Sequence, residues 1–391
     1  MSMVREIRRE FVTTSQYCPL PHRTPTTEVV AYGKESDAEL IRRVLYLLPA
    51  VQPCGRVHPE IDCPSCTLRQ ERTMHTVITG GAGLIGSHLA VRLLDEGRRV
   101  TVIDNLSTGR RANLAPVQDH SAFTFREADV CDREAFAGLL EVTGIVHLAC
   151  PAAPAMYSHM PIETLRAGSA GTMNALDAAA VHDARVVVAS SSDVYGDTPI
   201  HPQIENCCGA VDPLGPRSAY EVAKVITEAA AMAHHRGERG GSVGVIRPFN
   251  VFGPGMWPGD SRAVPAFCAA ALAGRTLTLH GGEQTRSLLY VSDAVDALVA
   301  MLDSHEFGPV NIGSTEEVSI KELAMMIIAT AGSGQLDIAE GRERDAPSRR
   351  PDLSRARALL DWEPRVPLAE GLALTIGWMR EHRNGYEGEV R

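Results

Sequence analysis

HTVITGGAGLIGSHLAVRLLDEGRRVTVIDNLSTG, residues 75–109, decides the fold. A short apolar β run (Val77, Ile78) enters a turn carrying Gly80, Gly83 and Gly86, and an amphipathic helix follows (Leu84, Ile85, Leu89, Val91, Leu93, Leu94). A second β run, Val100 to Ile103, ends at Asp104. Glycines at this spacing make the tight turn, let backbone approach a pyrophosphate and let the helix pack closely on the strand. The helix N-terminus offers unpaired N–H groups and partial positive charge to phosphates. Asp104, eighteen residues after Gly86, is placed to accept hydrogen bonds from both adenosine ribose hydroxyls. An acid there repels a 2′-phosphate, so the pattern predicts NAD rather than NADP.

Strand-like runs recur at 76–79, 100–103, 122–125, 144–149, 185–191 and 243–247, with helical patterns between them, as at 163–181 and 218–236. The alternation predicts an α/β fold, a Rossmann-type doubly wound parallel sheet. Past about 247 the chain turns Gly- and Pro-rich (FNVFGPGMWPGD). The expected division is an N-terminal extension over 1–72, an NAD-binding domain over 73–245, and a smaller, mainly substrate-binding lobe over 246–391.

The 391 residues suffice for two or three domains, and 44% hydrophobic with 22% charged residues is ordinary for a globular enzyme. A net charge of -10 argues against nucleic acid or an anionic membrane as partner. Arg5, Arg8 and Arg9 are followed by no apolar run, so no secretion signal is expected. Nine cysteines in a chain this long do not read as a disulfide scaffold, which points to a reducing cytoplasm.

Tyr220 and Lys224 form Tyr-x-x-x-Lys in SAYEVAK, and helical spacing puts both on one face. An ammonium beside a phenol lowers the phenol pKa and makes a usable base near neutrality. Upstream, SSSDVYGD (190–197) follows a VVVA strand whose end should face the cofactor crevice. Cys150 reads as a packed strand-end thiol rather than a nucleophile, and Tyr157 as a residue that contacts sugar or simply packs.

Cys54, His58, Cys63 and Cys66 form Cys-x3-His-x4-Cys-x2-Cys, the thiolate and imidazole set that tetrahedral structural zinc prefers. Cys18 and His22 are alternative ligands, and free thiols in a polar leader are the alternative reading. Residues 36–49 read as a helix opened by a Ser36–Glu39 capping box.

TGGAGLIG, SSSDVYG and YEVAK together resemble the extended short-chain dehydrogenase/reductase superfamily of nucleotide-sugar enzymes. HLACPAAP (147–154), VYGDTPIHPQIE (194–205), DPLGPRSAYEVAK (212–224), FNVFGPGM (249–256), EQTRSLLYVSD (283–293) and RRPDLSRARALLDWEP (349–364) are similar to its UDP-glucuronate decarboxylase branch. The resemblance implies a redox-neutral cycle on tightly held NAD: oxidation at sugar C4, loss of CO2 from the resulting β-keto acid, and re-reduction to UDP-xylose or release of the 4-keto pentose. It implies Tyr220 as base with Lys224, Ser191 on the reacting oxygen, Asp193 as the acid, and Arg286 at the substrate carboxylate or diphosphate. Ser192, Arg217, Asn250, Arg262 and Tyr157 are the implied further substrate contacts. Leu84, Ile85, Asn105, Asp129, Val130, Leu148 and Ala149 join the glycines, Asp104, Tyr220 and Lys224 around NAD.

Four positions depart from that pattern. Asp193 stands where Glu is usual, Gly168 where Asn is usual, and Gly255 and Val225 where Arg is usual. The rival readings are a UDP-glucuronate 4-epimerase, a 4,6-dehydratase (disfavoured by Ser192-Asp193 in place of Asp-Glu) and a non-catalytic NAD or sugar-nucleotide sensor. The family habit of pairing through the Tyr-bearing helix suggests a homodimer.

Overall fold

β1 (His75–Thr79) is buried at every position, as a central parallel strand covered on both faces must be. A computed structural model describes residues 74–237, 240–339 and 347–382. From β1 the chain runs through α1 (Leu84–Asp95), β2 (Arg99–Asp104), β3 (Phe123–Glu127) and β4 (Gly144–His147). Then come α2 (Pro154–His159), α3 (Pro161–Arg166), α4 (Thr172–His182), β5 (Arg185–Ala189), α5 (Ser218–Arg236) and β6 (Val243–Pro248). Beyond these lie β7 (Val251–Phe252), α6 (Ala263–Leu272), β8 (Thr276–His280), β9 (Thr285–Ser287), β10 (Leu289–Tyr290), α7 (Val291–Asp303) and β11 (Val310–Ile312). The last elements are β12 (Glu317–Ser319), α8 (Ile320–Ala331), β13 (Gln335–Ala339), β14 (Ser348–Arg349), α9 (Ser354–Leu360) and α10 (Leu368–Glu381).

The main sheet has seven parallel strands in the order β11-β6-β5-β4-β1-β2-β3. Strand order reverses between β1 and β4, and such a switch point opens a crevice at the strands' carboxyl ends. Successive side chains feed opposite faces. Ile78 packs with Leu89 and Leu93 of α1 and Leu298 of α7, whereas Val77 packs with Ile145, Val188 and Ala179 of α4. This is the doubly wound sheet expected from the alternating pattern.

One expectation is refined and one corrected. The helix read over 163–181 is present, helical without a break from Pro161 to His182, and it contains a π turn at Ala167–Gly171 between α3 and α4. Gly168 lies against α5, where a Cβ would come within 2.6 Å of the Ala223 methyl. Its carbonyl accepts from both Thr172 Oγ1 and Thr227 Oγ1, at 2.9 and 3.2 Å, so hydroxyls satisfy the backbone the widened turn leaves open. The boundary at 246 is also not clean. β6 runs through it, and after building part of the lobe the chain returns to the main sheet as α7 and β11. The lobe proper surrounds a separate core of Phe252, Phe267, Leu277, Leu323, Leu372 and Ile376, drawn from β7, α6, β8, α8 and α10.

The helix read over 36–49 lies outside the described residues. Among the described residues no helix is long and apolar enough to cross a membrane.

Candidate functional site

The β1–α1 turn forms a cradle for pyrophosphate. Gly80 has φ +68, and its N–H donates to Ile103 O at 2.9 Å. A Cβ on Gly86 would lie 2.6 Å from Gly80 O and Gly81 Cα, so only glycine lets α1 start this close to the turn. Gly83 caps α1 without any side-chain hydrogen bond, leaving the helix N-terminus, with Leu84 and Ile85 in its first turn, turned toward an anion. The residues present fit NAD at this place.

Asp104 is buried, and its two oxygens accept from Ala82 N (2.9 Å) and Leu106 N (2.8 Å). Burial pushes its carboxyl above the usual range, and those two N–H groups oppose the push. It therefore braces the glycine turn as well as ending β2, and each oxygen keeps a second lone pair for a ribose hydroxyl. Beside it, Asn105 Nδ2 donates to Asp129 Oδ2 at 3.0 Å. Burial raises Asp129, but bonds from Cys131 and Asn105 prevail and hold it below the ordinary value. Val130 is buried beneath Gly171. Leu148 N donates to Thr79 O at 3.1 Å, and Ala149 comes so close to Gly80 that no Cβ would fit between them.

The expected catalytic residues converge on one cavity of about 470 Å³, with Tyr220, Lys224, Ser191, Asp193, Arg262 and Arg286 in its wall. Ser192, Arg217, Asn250, Tyr157, Ile85 and Leu148 also reach it. Lys224 Nζ donates to Ala189 O, the last residue of β5, at 2.8 Å and lies 5.7 Å from the centre of the Tyr220 ring. The Tyr157 ring stacks on Tyr220 at 5.2 Å and 10°. Burial pushes the Tyr220 phenol well above its usual range, and Asp193 and Cys150 add to the push. A hydrogen bond to Ser191 and the charge of Arg262 pull the other way. The net direction is opposite to the one read from Tyr-x-x-x-Lys alone, because withdrawal from water outweighs the Ser191 bond and the charge of Arg262.

Asp193 lies between two arginines. Arg217 Nη2 donates to its Oδ2 at 2.6 Å, and Arg349 Nη2 stands 3.6 Å from Oδ1. Arg349 also donates to Ser192 O at 2.9 Å from a buried position on β14. Sequence reasoning misses it: RRPD (349–352) belongs to a matching segment, but nothing local says that its first arginine crosses the fold to Asp193. The buried Nε of Arg217 makes no hydrogen bond among the described residues and stands 3.5 Å from Glu221 Oε1. Arg262 is paired with Asp260 at 2.6 Å, Arg286 Nη1 donates to Thr285 O at 2.6 Å, and Asn250 Nδ2 donates to Ser287 O at 3.0 Å. Of the departures, Gly255 places its carbonyl 3.3 Å from Asn113 Nδ2, and Val225 is exposed on α5.

Behind the site His147 is sealed from solvent. Its Nδ1 lies 2.8 Å from Thr79 Oγ1 and its Nε2 3.2 Å from Thr172 Oγ1. Burial, with Lys224 nearby, pushes its pKa down to about 3, so the ring is neutral. Cys54, His58, Cys63 and Cys66 lie outside the described residues, and among those described no group of three or more potential metal ligands gathers.

Residues 76–313 match the NAD dependent epimerase/dehydratase family. The chain is 42% identical to UDP-glucuronic acid decarboxylase 1 of Xenopus tropicalis over 89% of its own length and 82% of that protein's. It is 35% identical to UDP-glucuronic acid decarboxylase 4 of Arabidopsis thaliana over 95% and 82%. Among solved structures it is similar to the UDP-glucose 4-epimerase of Thermotoga maritima with UDP-glucose (28% identity, TM-score 0.73, covering 79% of this chain and 100% of that one). It is also similar to the dTDP-glucose 4,6-dehydratase of Streptomyces venezuelae with NAD bound (30%, TM-score 0.73, covering 80% and 99%). The chain belongs to the NAD dependent epimerase/dehydratase family and is an enzyme of the extended short-chain dehydrogenase/reductase type.

Proposed function

We propose that this member of the NAD dependent epimerase/dehydratase family is a UDP-glucuronate decarboxylase. The observation that carries the reading is Asp193, held between Arg217 and Arg349 in the cavity wall that also presents Tyr220. The identities to proteins named UDP-glucuronic acid decarboxylase support it.

NAD, when bound in the glycine cradle, supplies a hydride acceptor that later returns the hydride. Tyr220 takes the proton of the sugar 4-hydroxyl, and Ser191 hydrogen-bonds the same oxygen. Lys224, anchored on Ala189 O, holds its charge beside the phenol. Once C4 is a ketone, the carboxylate on C5 is β to it. Its C–C bond breaks as CO2 leaves, and the electron pair moves onto the 4-oxygen held by Ser191 and Tyr220. In this reading Asp193 serves the protonation of C5, and the Arg217 and Arg349 guanidiniums beside it supply charge for the substrate's carboxylate and diphosphate. Asp193 is one methylene shorter than the Glu usual in the branch, and the Arg217 bond fixes where that shorter arm points.

Incubation with UDP-glucuronate tests the reading. CO2 with a UDP-pentose or its 4-ketone is expected, whereas UDP-galacturonate without CO2 identifies an epimerase. Homodimerisation through α3–α5 belongs to the same proposal. Ile162, Met173, Val181 and Val225 are large apolar side chains exposed on those helices, and sedimentation at several concentrations measures the association.

A further inference from the structure

We propose that Cys207 and Cys208 are a peroxide-responsive thiol pair that closes to a vicinal disulfide and so disturbs Asp193. Cys208 is exposed and Cys207 half-buried. The Cys207 sulfur lies 3.2 Å from Thr198 Oγ1 and 3.4 Å from Cys208 O, and it packs on Val194, Tyr195 and Phe249. The strap that carries the pair is laced to the segment just after Asp193. Ala210 N donates to Tyr195 O at 3.0 Å, and Asp197 N donates to Ala210 O at 3.4 Å. Gly209 sits so tightly that a Cβ would fall 1.8 Å from Val194 O. Gly196 N in turn donates to Asp193 O at 3.1 Å.

Adjacent Cα atoms stand about 3.8 Å apart, short of the roughly 4.4–6.8 Å that a disulfide ordinarily spans. Closing the ring therefore turns the 207–208 backbone and draws the Cys207 sulfur out of its contacts with Thr198 and Tyr195. The strap has no slack at Gly209, so the movement passes to Val194–Asp197 and to Asp193.

The chemistry balances with hydrogen peroxide as oxidant. Cys208 sulfur attacks peroxide, the O–O bond breaks, one water leaves and a sulfenic acid forms. The Cys207 thiol then attacks that sulfur, the S–S bond forms, the S–O bond breaks and a second water leaves. Two thiols lose two electrons and two protons, and the peroxide becomes two waters. A dithiol reverses the change. Among the described cysteines only Cys208 is exposed; Cys268 is buried, and Cys131 and Cys150, partly covered like Cys207, have no adjacent cysteine in the chain.

The effect on turnover rests on the decarboxylase reading; the disulfide does not. The test treats the full-length enzyme with hydrogen peroxide, then combines alkylation and peptide mass mapping with amide hydrogen exchange and CO2 release from UDP-glucuronate. The peptide spanning 207–208 should lose two hydrogens and resist alkylation, exchange at Gly196 and Asp197 should accelerate, and turnover should fall on the order of tenfold to a hundredfold, recovering with dithiothreitol. Cys207→Ser and Cys208→Ser should keep the reduced enzyme's turnover and lose the response. A pair still open to alkylation after peroxide, unchanged exchange in the disulfide form, or a Cys208→Ser enzyme still inactivated overturns the proposal. A reduced enzyme that releases no CO2 refutes the decarboxylase reading alone, and mass and exchange still decide the thiol pair.

Discussion

Asp193 Oδ2 accepts a 2.6 Å hydrogen bond from Arg217, while the same carboxylate raises the pKa of the Tyr220 phenol. One side chain thus orders the substrate-facing cations and opposes ionisation of the base. Asp193→Asn separates these effects. Turnover should fall by on the order of a hundredfold as two arginines lose their counter-charge, and the alkaline-going limb of kcat/KM should move to lower pH. A limb that stays in place or moves up refutes the electrostatic link.

Ser191→Ala should shift that limb the other way. The Ser191 hydrogen bond pulls the Tyr220 pKa down, so its loss leaves burial less opposed and demands higher pH for the same ionised fraction. A pH series of CO2 release with each variant reads both signs in one experiment.

Tyr220→Phe should abolish turnover to about one part in a thousand or less while leaving the purified enzyme's NAD content unchanged. The glycine cradle stands on β1 and α1, apart from the phenol. Unchanged turnover excludes Tyr220 as the base.

Gly86→Ala should do the reverse. A methyl 2.6 Å from Gly80 O and Gly81 Cα forces α1 off the turn, at about 1–3 kcal/mol and with loss of bound NAD. Thermal melting with and without added NAD, alongside cofactor analysis, measures both.

His147 makes stability depend on acid. Its folded pKa of about 3 lies below the ordinary histidine value of 6.5, so the unfolded chain binds the extra proton first. The contribution of His147 is complete above about pH 6.5 and is lost progressively as pH falls toward about 3. Urea midpoints across that window should drop for the native chain and fall less steeply for His147→Gln.

Much of this was legible in the sequence because its signals are local. The β1–α1 glycines, the end of β2 at Asp104 and the Tyr220–Lys224 pair each reside in one turn or one helix, where spacing dictates geometry. Three things were not legible. Arg349 reaches Asp193 from 156 residues away in the chain, and only the packing of β14 beside β9 brings it there. The π turn at Ala167–Gly171 goes with the close approach of Gly168 to Ala223 of α5, a contact between segments distant in the chain that helical spacing does not report. The Tyr220 pKa is governed by how far the ring is withdrawn from water, which no residue spacing reports.

The chain leaves the main sheet after β6, builds β7 through β10, and re-enters as α7 and β11 before finishing the lobe. Sheet and lobe are therefore threaded through each other rather than strung in series. A cut at one junction leaves each part without a segment that the chain path assigns to it. Strain introduced by a sugar nucleotide on the lobe side has a covalent route into β6 and β11, and β6 pairs with the β5 strand that carries Ala189. Chimeras in this family should succeed only when all of these crossings are exchanged together.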